Sequence, residues 1–97
     1  MMFVISLTYI VPLEQIDGHL AAHRDFLEEQ YAKGNFLMSG RKVPREGGVI
    51  IAQGDSRAEV EELIRQDPFH KAGVARYDIT EFAPTMTAEV LAAYRVK

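Results

Sequence analysis

The sequence predicts a single α+β domain with the element order β-α-β-β-α-β, a four-stranded antiparallel sheet carrying two helices on one face. Three observations support this. The chain has 97 residues, enough for one hydrophobic core and too few for two. Its apolar pattern switches between the alternation of strands and the three-to-four spacing of helices. Glycine and proline clusters fall where the pattern switches.

Met2 to Ile10 (MFVISLTYI) is rich in β-branched and aromatic residues and forms the first strand, ended by Pro12. From about Leu13 to Lys33, Ile16, Leu20, His23, Leu27 and Tyr31 recur every three or four residues and mark one helix face. Gly34-Asn35 stops that helix. Phe36 to Val43 is the second strand, Pro44-Arg45-Glu46-Gly47 a turn, and Gly48 to Gln53 the third strand. Ser56 and Glu59 make a capping-box signature for a second helix running to about Gln66, with Val60, Leu63 and Ile64 on its apolar face. Asp67-Pro68-Phe69 breaks that helix, because proline disfavours a helical conformation in the residue before it. Gly73 closes an irregular turn, and Ala75 to Phe82 is the last strand. Residues 85–97 are a C-terminal extension of the one domain, 1–97, with Thr87 to Tyr94 compatible with a short helix. The order is the split-βαβ, ferredoxin-like arrangement.

Two helices cover only one face of such a sheet. Phe3, Ile5, Leu7 and Tyr9 point one way along the first strand; Met2, Val4 and Ile10 point the other. Both faces are largely apolar, and Val49-Ile50-Ile51 repeats the pattern. The second face is therefore expected to pack on another sheet, most simply that of a second copy in a face-to-face twofold dimer, with further association of dimers left open. A domain of this size buries only ~60% of its unfolded surface, so a partner subunit would add to a thin stability margin.

Composition limits the function classes. Lys+Arg number 11 against 14 Asp+Glu, a net charge of −3, which gives no attraction to nucleic-acid phosphates. There is no cysteine, so disulfides, thiolate nucleophiles and thiolate metal sites are absent, as suits a cytoplasmic protein. The apolar N-terminus lacks a basic leader and cleavage-like small residues, and no stretch approaches the ~20 apolar residues of a membrane span.

His23 is the most informative polar residue, because its stripe faces the sheet. It is either a core histidine bonded to a backbone carbonyl or an acid/base group in a pocket between helix and sheet; an unperturbed imidazole titrates near ~6.5. Asp67 is either the carboxylate of a helix-ending Asp-Pro turn or the group that orients such an imidazole. Ser39-Gly40 within a strand suggests close backbone approach, to a ligand or at a bulge. Arg41 and Lys42 are suited to an anionic substrate, although basic residues leaving a strand are commonly just solvated. No G-x-S-x-G elbow accompanies Ser39. His19 and His23 have metal-ligand spacing but no H-E-x-x-H glutamate and no thiolate, and nothing places His70 beside them, so no metal is expected. Gly47-Gly48 lacks the third glycine and following helix of a phosphate loop. Glu28-Glu29 and the charges of Arg57 to Glu62 are solvated helix faces.

His23-Arg24-x-Phe26-Leu27, Leu37-x-Ser39-Gly40, Gly47-Gly48-x-Ile50, Asp67-Pro68-Phe69-x-x-Ala72-Gly73-Val74-Ala75 and Tyr77-x-Ile79-x-Glu81-Phe82 together resemble the YCII-related (YciI-like) family. The resemblance covers most of the chain, and the D-P-F-x-x-A-G-V stretch is its most specific part. It implies a dimeric α+β barrel and a pocket with a histidine–aspartate dyad, matching His23 and Asp67, with Ser39 in a further motif. It also implies chemistry of the kind in which one relative dehydrochlorinates a chlorinated hydroxyhydroquinone without metal or flavin. Arg41 departs from the proline that many relatives carry there, which changes the pocket rim.

The function expected is a cofactor-independent lyase or isomerase for a small cyclic or aromatic compound. His23 and Asp67 are its catalytic candidates, and Ser39, Gly40, Arg41 and Phe69 its substrate-binding candidates. A non-catalytic small-molecule-binding or accessory dimer is the alternative, and a flavin-free or heme monooxygenase a third reading.

Overall fold

The computed structural model describes residues 1–96. β1 (Met2–Tyr9), α1 (Leu13–Ala32), β2 (Phe36–Arg41), β3 (Gly47–Gln53), α2 (Arg57–Ile64), α3 (Pro68–Lys71) and β4 (Ala75–Phe82) follow in order, with a 3-10 helix at Glu89–Tyr94 beyond them. All strand pairs are antiparallel and the sheet order is β2-β3-β1-β4, so the first strand is central. With its helices on one side, this is the expected α+β, ferredoxin-like arrangement.

The register aligns Ile5 with Ile50 on one side and Ile79 on the other, and Phe3 with Ala52. This row is the sheet's contribution to the core. Ile16 and Phe26 of α1, Val60 and Ile64 of α2, and Phe69 of α3 close over it, all nearly or wholly buried. Each large apolar side chain enclosed this way contributes ~1.5–3 kcal/mol relative to exposure. Ser56 caps α2 as its sequence signature predicts, its Oγ accepting the Glu59 N–H at 3.1 Å.

The structure differs from the sequence expectations at four places. The buried line of α1 is Ile16, His23, Phe26 and Gln30; Leu20 and Leu27 are half-buried and Tyr31 is exposed. The helix is thus rotated from the expected stripe, and Gln30 is accommodated inside because its Oε1 accepts from Asn35 Nδ2 at 2.8 Å. The segment after Asp67 is not irregular: it is α3, begun by a proline in the first turn, where a missing N–H costs nothing. The second strand ends at Arg41 rather than Val43, and the C-terminal turn is a 3-10 helix starting at Glu89 rather than Thr87.

The face opposite the helices carries Val4 and Ser6 from β1, Val49 and Ile51 from β3, and Met38 from β2, which is 57% exposed. Along β4 it carries Arg76, Asp78 and Thr80, with Arg76 bonded to Asp78, and ends on Phe82 opposite Met2. Its apolar character is therefore concentrated on β1, β2 and β3 and interrupted along most of β4, where charged and polar residues alternate outward.

Candidate functional site

Asp67 is the structural hinge of the site. α2 ends at Ile64, whose carbonyl accepts the Asp67 N–H at 3.0 Å. Pro68 holds Asp67 in an extended conformation (φ −64°, ψ 127°), and Asp67 caps α3 through Oδ1, which accepts the Phe69 N–H at 3.0 Å. The side chain is fully buried. A carboxylate in that position is tenable only with several donors. Besides the Phe69 amide, His23 Nδ1 lies 2.8 Å from Oδ1, and the Tyr77 hydroxyl of β4 donates to Oδ2 at 2.6 Å. Residues from α1, α3 and β4 thus converge on one carboxyl group.

The same group fixes the imidazole. A carboxylate facing Nδ1 selects the tautomer with the proton on that nitrogen, leaving Nε2 as the acceptor. The ring also stacks on Phe69, with centroids 3.9 Å apart and planes 7° from parallel, and Tyr9 meets the edge of Phe69 at 6.0 Å. Nε2 has no hydrogen-bond partner among the described residues. No buried side-chain polar atom there lacks a partner, so this nitrogen retains access to solvent. Tyr77 is the site's other perturbed group: burial first, then the facing Asp67 carboxylate, push its phenol far above the usual tyrosine range, so it stays a donor.

His23 lines a cavity of about 510 Å3 between α1 and the β1-β3-β2 part of the sheet, within the size range of small-ligand sites. Its apolar wall is Leu20 and Leu27 of α1 with Leu7, Tyr9 and Ile50 of the sheet. The half-exposed flank of α1 is therefore a cavity wall and not an imperfect core face. Gly47 sits where β3 crosses closest to β1: a Cβ there would lie 1.8 Å from the Leu7 carbonyl oxygen. At the mouth, Arg45 Nη2 bonds Asp17 Oδ1 at 2.6 Å, and that carboxylate holds the guanidinium still more firmly protonated than usual.

His23 and Asp67 are thus brought into contact, while Ser39, Gly40 and Arg41 line the same cavity. Ser39 Oγ is hydrogen-bonded to the Tyr31 hydroxyl. Phe69 does not line the cavity; it is 1% exposed and acts as the platform beneath the imidazole. Sequence reasoning missed the role of Tyr77, although its position between Ala75 and Ile79 on the inward alternation, with a hydroxyl needing a partner, is a readable signal. It also missed the place of Arg24 and Arg45 in the lining, because a helix arginine and a turn arginine read locally as solvated.

A second opening of about 470 Å3 lies at the opposite end of β1, lined by Met1, Met2 and Ala93 to Val96 among others. The C-terminal segment therefore lies away from the His23 cavity in its own chain. Among the described residues, no three histidine, aspartate or glutamate side chains are grouped to hold a metal ion, and no helix is long and apolar enough to cross a membrane.

The model of the YCII-related domain matches residues 1–83. No curated protein matches the sequence. Among solved structures, the chain is similar to 5-chloro-2-hydroxyhydroquinone dehydrochlorinase (TftG) from Burkholderia phenoliruptrix AC1100, solved in complex with 2,5-dihydroxybenzoquinone. The two share 24% identity over 84% of this chain and 93% of that one, with a TM-score of 0.73. At that identity the likeness establishes the shared fold.

Proposed function

The chain belongs to the YCII-related family, and from that premise we propose that its helix–sheet cavity is the active site of a cofactor-independent lyase or isomerase acting on a small cyclic or aromatic compound. The observation that supports this most strongly is the 2.8 Å contact between His23 Nδ1 and the fully buried Asp67, with Nε2 left accessible. In this reading Nε2 takes a proton from the substrate, and Asp67 balances the imidazolium that forms. In an elimination, the electron pair of the broken C–H or O–H bond moves into the ring and a leaving group departs with its own pair. In an isomerisation, His23 returns the proton at another atom. Ser39 and nearby backbone groups hold a substrate oxygen, Arg41 meets the substrate at the rim, and Phe69 acts from behind by keeping the imidazole plane fixed.

The site operates, in the same proposal, in a homodimer whose two sheets meet through Val4, Val49, Ile51 and Met38. Sedimentation at micromolar concentration should give a mass of two chains or a multiple of that; a mass of one chain would refute the pairing.

The enzymatic reading is tested by incubating the protein with a panel of halogenated hydroquinones and following halide release. His23→Gln and Asp67→Asn should each reduce turnover at least a hundredfold while both remain folded by circular dichroism. Turnover untouched by either change would overturn the dyad. Binding without turnover that survives His23→Gln would favour a small-molecule-binding module.

A further inference from the structure

The arginines are unevenly satisfied. Arg45, Arg57, Arg65, Arg76 and Arg95 each meet a carboxylate. Arg24 and Arg41 meet none among the described residues, and both line the His23 cavity. The only acidic side chain on that lining, Asp17, is already engaged by Arg45 at 2.6 Å. The buried Asp67 lies behind the imidazole, facing three donors of its own. A chain of net charge −3 thus keeps a cavity with surplus positive charge.

Geometry directs that charge inward. Along β2, Ser39 pairs with Ile50 and Arg41 with Gly48, so alternation puts Ser39 and Arg41 on the helix side of the sheet. Arg24 follows His23 on α1, on the opposite side of the opening. The floor between them, Leu7, Leu20, Leu27 and Ile50, offers no carboxylate and suits a ring.

We propose that the compound this cavity takes is a ring carboxylate, its ring on the apolar floor and its charge held by Arg24 and Arg41. The inference rests on the cavity being the functional site and extends that reading to the substrate's class. It does not depend on the His23 chemistry. Guanidinium–carboxylate hydrogen bonds in a partly enclosed site are roughly twice as strong as neutral ones, enough for a preference of about tenfold over an uncharged analogue.

The test measures binding of 2,5-dihydroxybenzoate and of 1,4-dihydroxybenzene to the full chain by calorimetry, with the His23 ring resonances followed by NMR. Wild-type protein should bind the acid about tenfold more tightly. Arg24→Gln and Arg41→Gln should each weaken the acid about fivefold and the neutral quinol by less than about twofold, and added salt should weaken the acid far more than the quinol. Both arginines are exposed, so unchanged thermal midpoints will separate lost contacts from lost structure. Equal binding of acid and quinol, failure of the acid to bind, or arginine variants that bind it as wild type would each overturn the proposal. Repeating the measurement in His23→Gln keeps the two readings apart. Acid binding that survives this change while halide release is absent in wild type supports the ring-carboxylate class and counts against dehydrochlorination of hydroquinones.

Discussion

The two sides of the His23 ring are built on opposite plans. Behind it, every polar group is matched: the Asp67 carboxylate meets the His23 imidazole, the Phe69 amide and the Tyr77 hydroxyl, and Phe69 stacks flat on the ring. In front, Nε2 has no partner among the described residues, Arg24 and Arg41 have no carboxylate, and backbone glycines replace side chains. A matched cluster lowers the free energy of the fold; unmatched groups beside an open cavity add little to it and are available to something else. The difference teaches where to look for stability and where to look for binding. It also predicts that substitutions on the two sides will sort into separate classes.

The largest effect should come from Asp67. Replacing it with alanine leaves the His23 Nδ1–H, the Phe69 amide and the Tyr77 hydroxyl without their acceptor in a fully buried site. The expected loss is about 3–5 kcal/mol, read as a fall in the urea midpoint with unchanged slope. Asp67→Asn keeps one acceptor oxygen and should lose less. Next is Gly47→Ala, whose Cβ would meet the Leu7 carbonyl oxygen at 1.8 Å, so the backbones of β3 and β1 must separate. A loss of about 2–4 kcal/mol is expected, with the cavity's inner edge distorted as well.

How much of this was legible in the sequence follows from which forces are local. The strands, the Ser56 cap and the Asp-Pro stop were readable because alternation, capping and proline sterics act over a few residues. The rotation of α1 was not, because Leu20 and Leu27 look identical to core leucines until the gap over β2 and β3 is known. His23 and Asp67 were singled out separately, yet they are 44 residues apart and only the packing of α3 against α1 brings them together. The α3 turn itself went unread because Asp67-Pro68 signals both an ending and a beginning: the same aspartate follows α2 and caps α3. The pairing of the two is implied by the family resemblance and not by local spacing.

A smaller effect belongs to Tyr77. Tyr77→Phe removes one hydrogen bond to Oδ2 and should cost about 1–2 kcal/mol near neutrality. It should also change the alkaline limb of stability. The folded state holds the Tyr77 phenol above its unfolded range, chiefly through burial and then through the facing carboxylate. Its contribution is therefore fully present below about pH 10 and falls as pH rises above that value, where the unfolded chain releases the proton first. Urea midpoints at about pH 8 and about pH 11 should converge between wild type and Tyr77→Phe as pH rises. A constant difference would mean the hydroxyl is not held protonated by the fold.

The smallest effect should be at the front of the ring. Arg24→Gln and Arg41→Gln remove exposed guanidiniums that meet no carboxylate among the described residues, so the urea midpoint should move by no more than about 0.5 kcal/mol equivalent. Like charges facing one another across the cavity repel, so a small stabilisation is the expected sign. That sign separates the two plans more sharply than magnitude does. Loss of Asp67 weakens the molecule because its partners are built around it, whereas loss of a rim arginine relieves a charge that the empty molecule does not use. Destabilisation by either arginine change would show that the rim is also part of the folded framework, and the division between the two sides of His23 would fail.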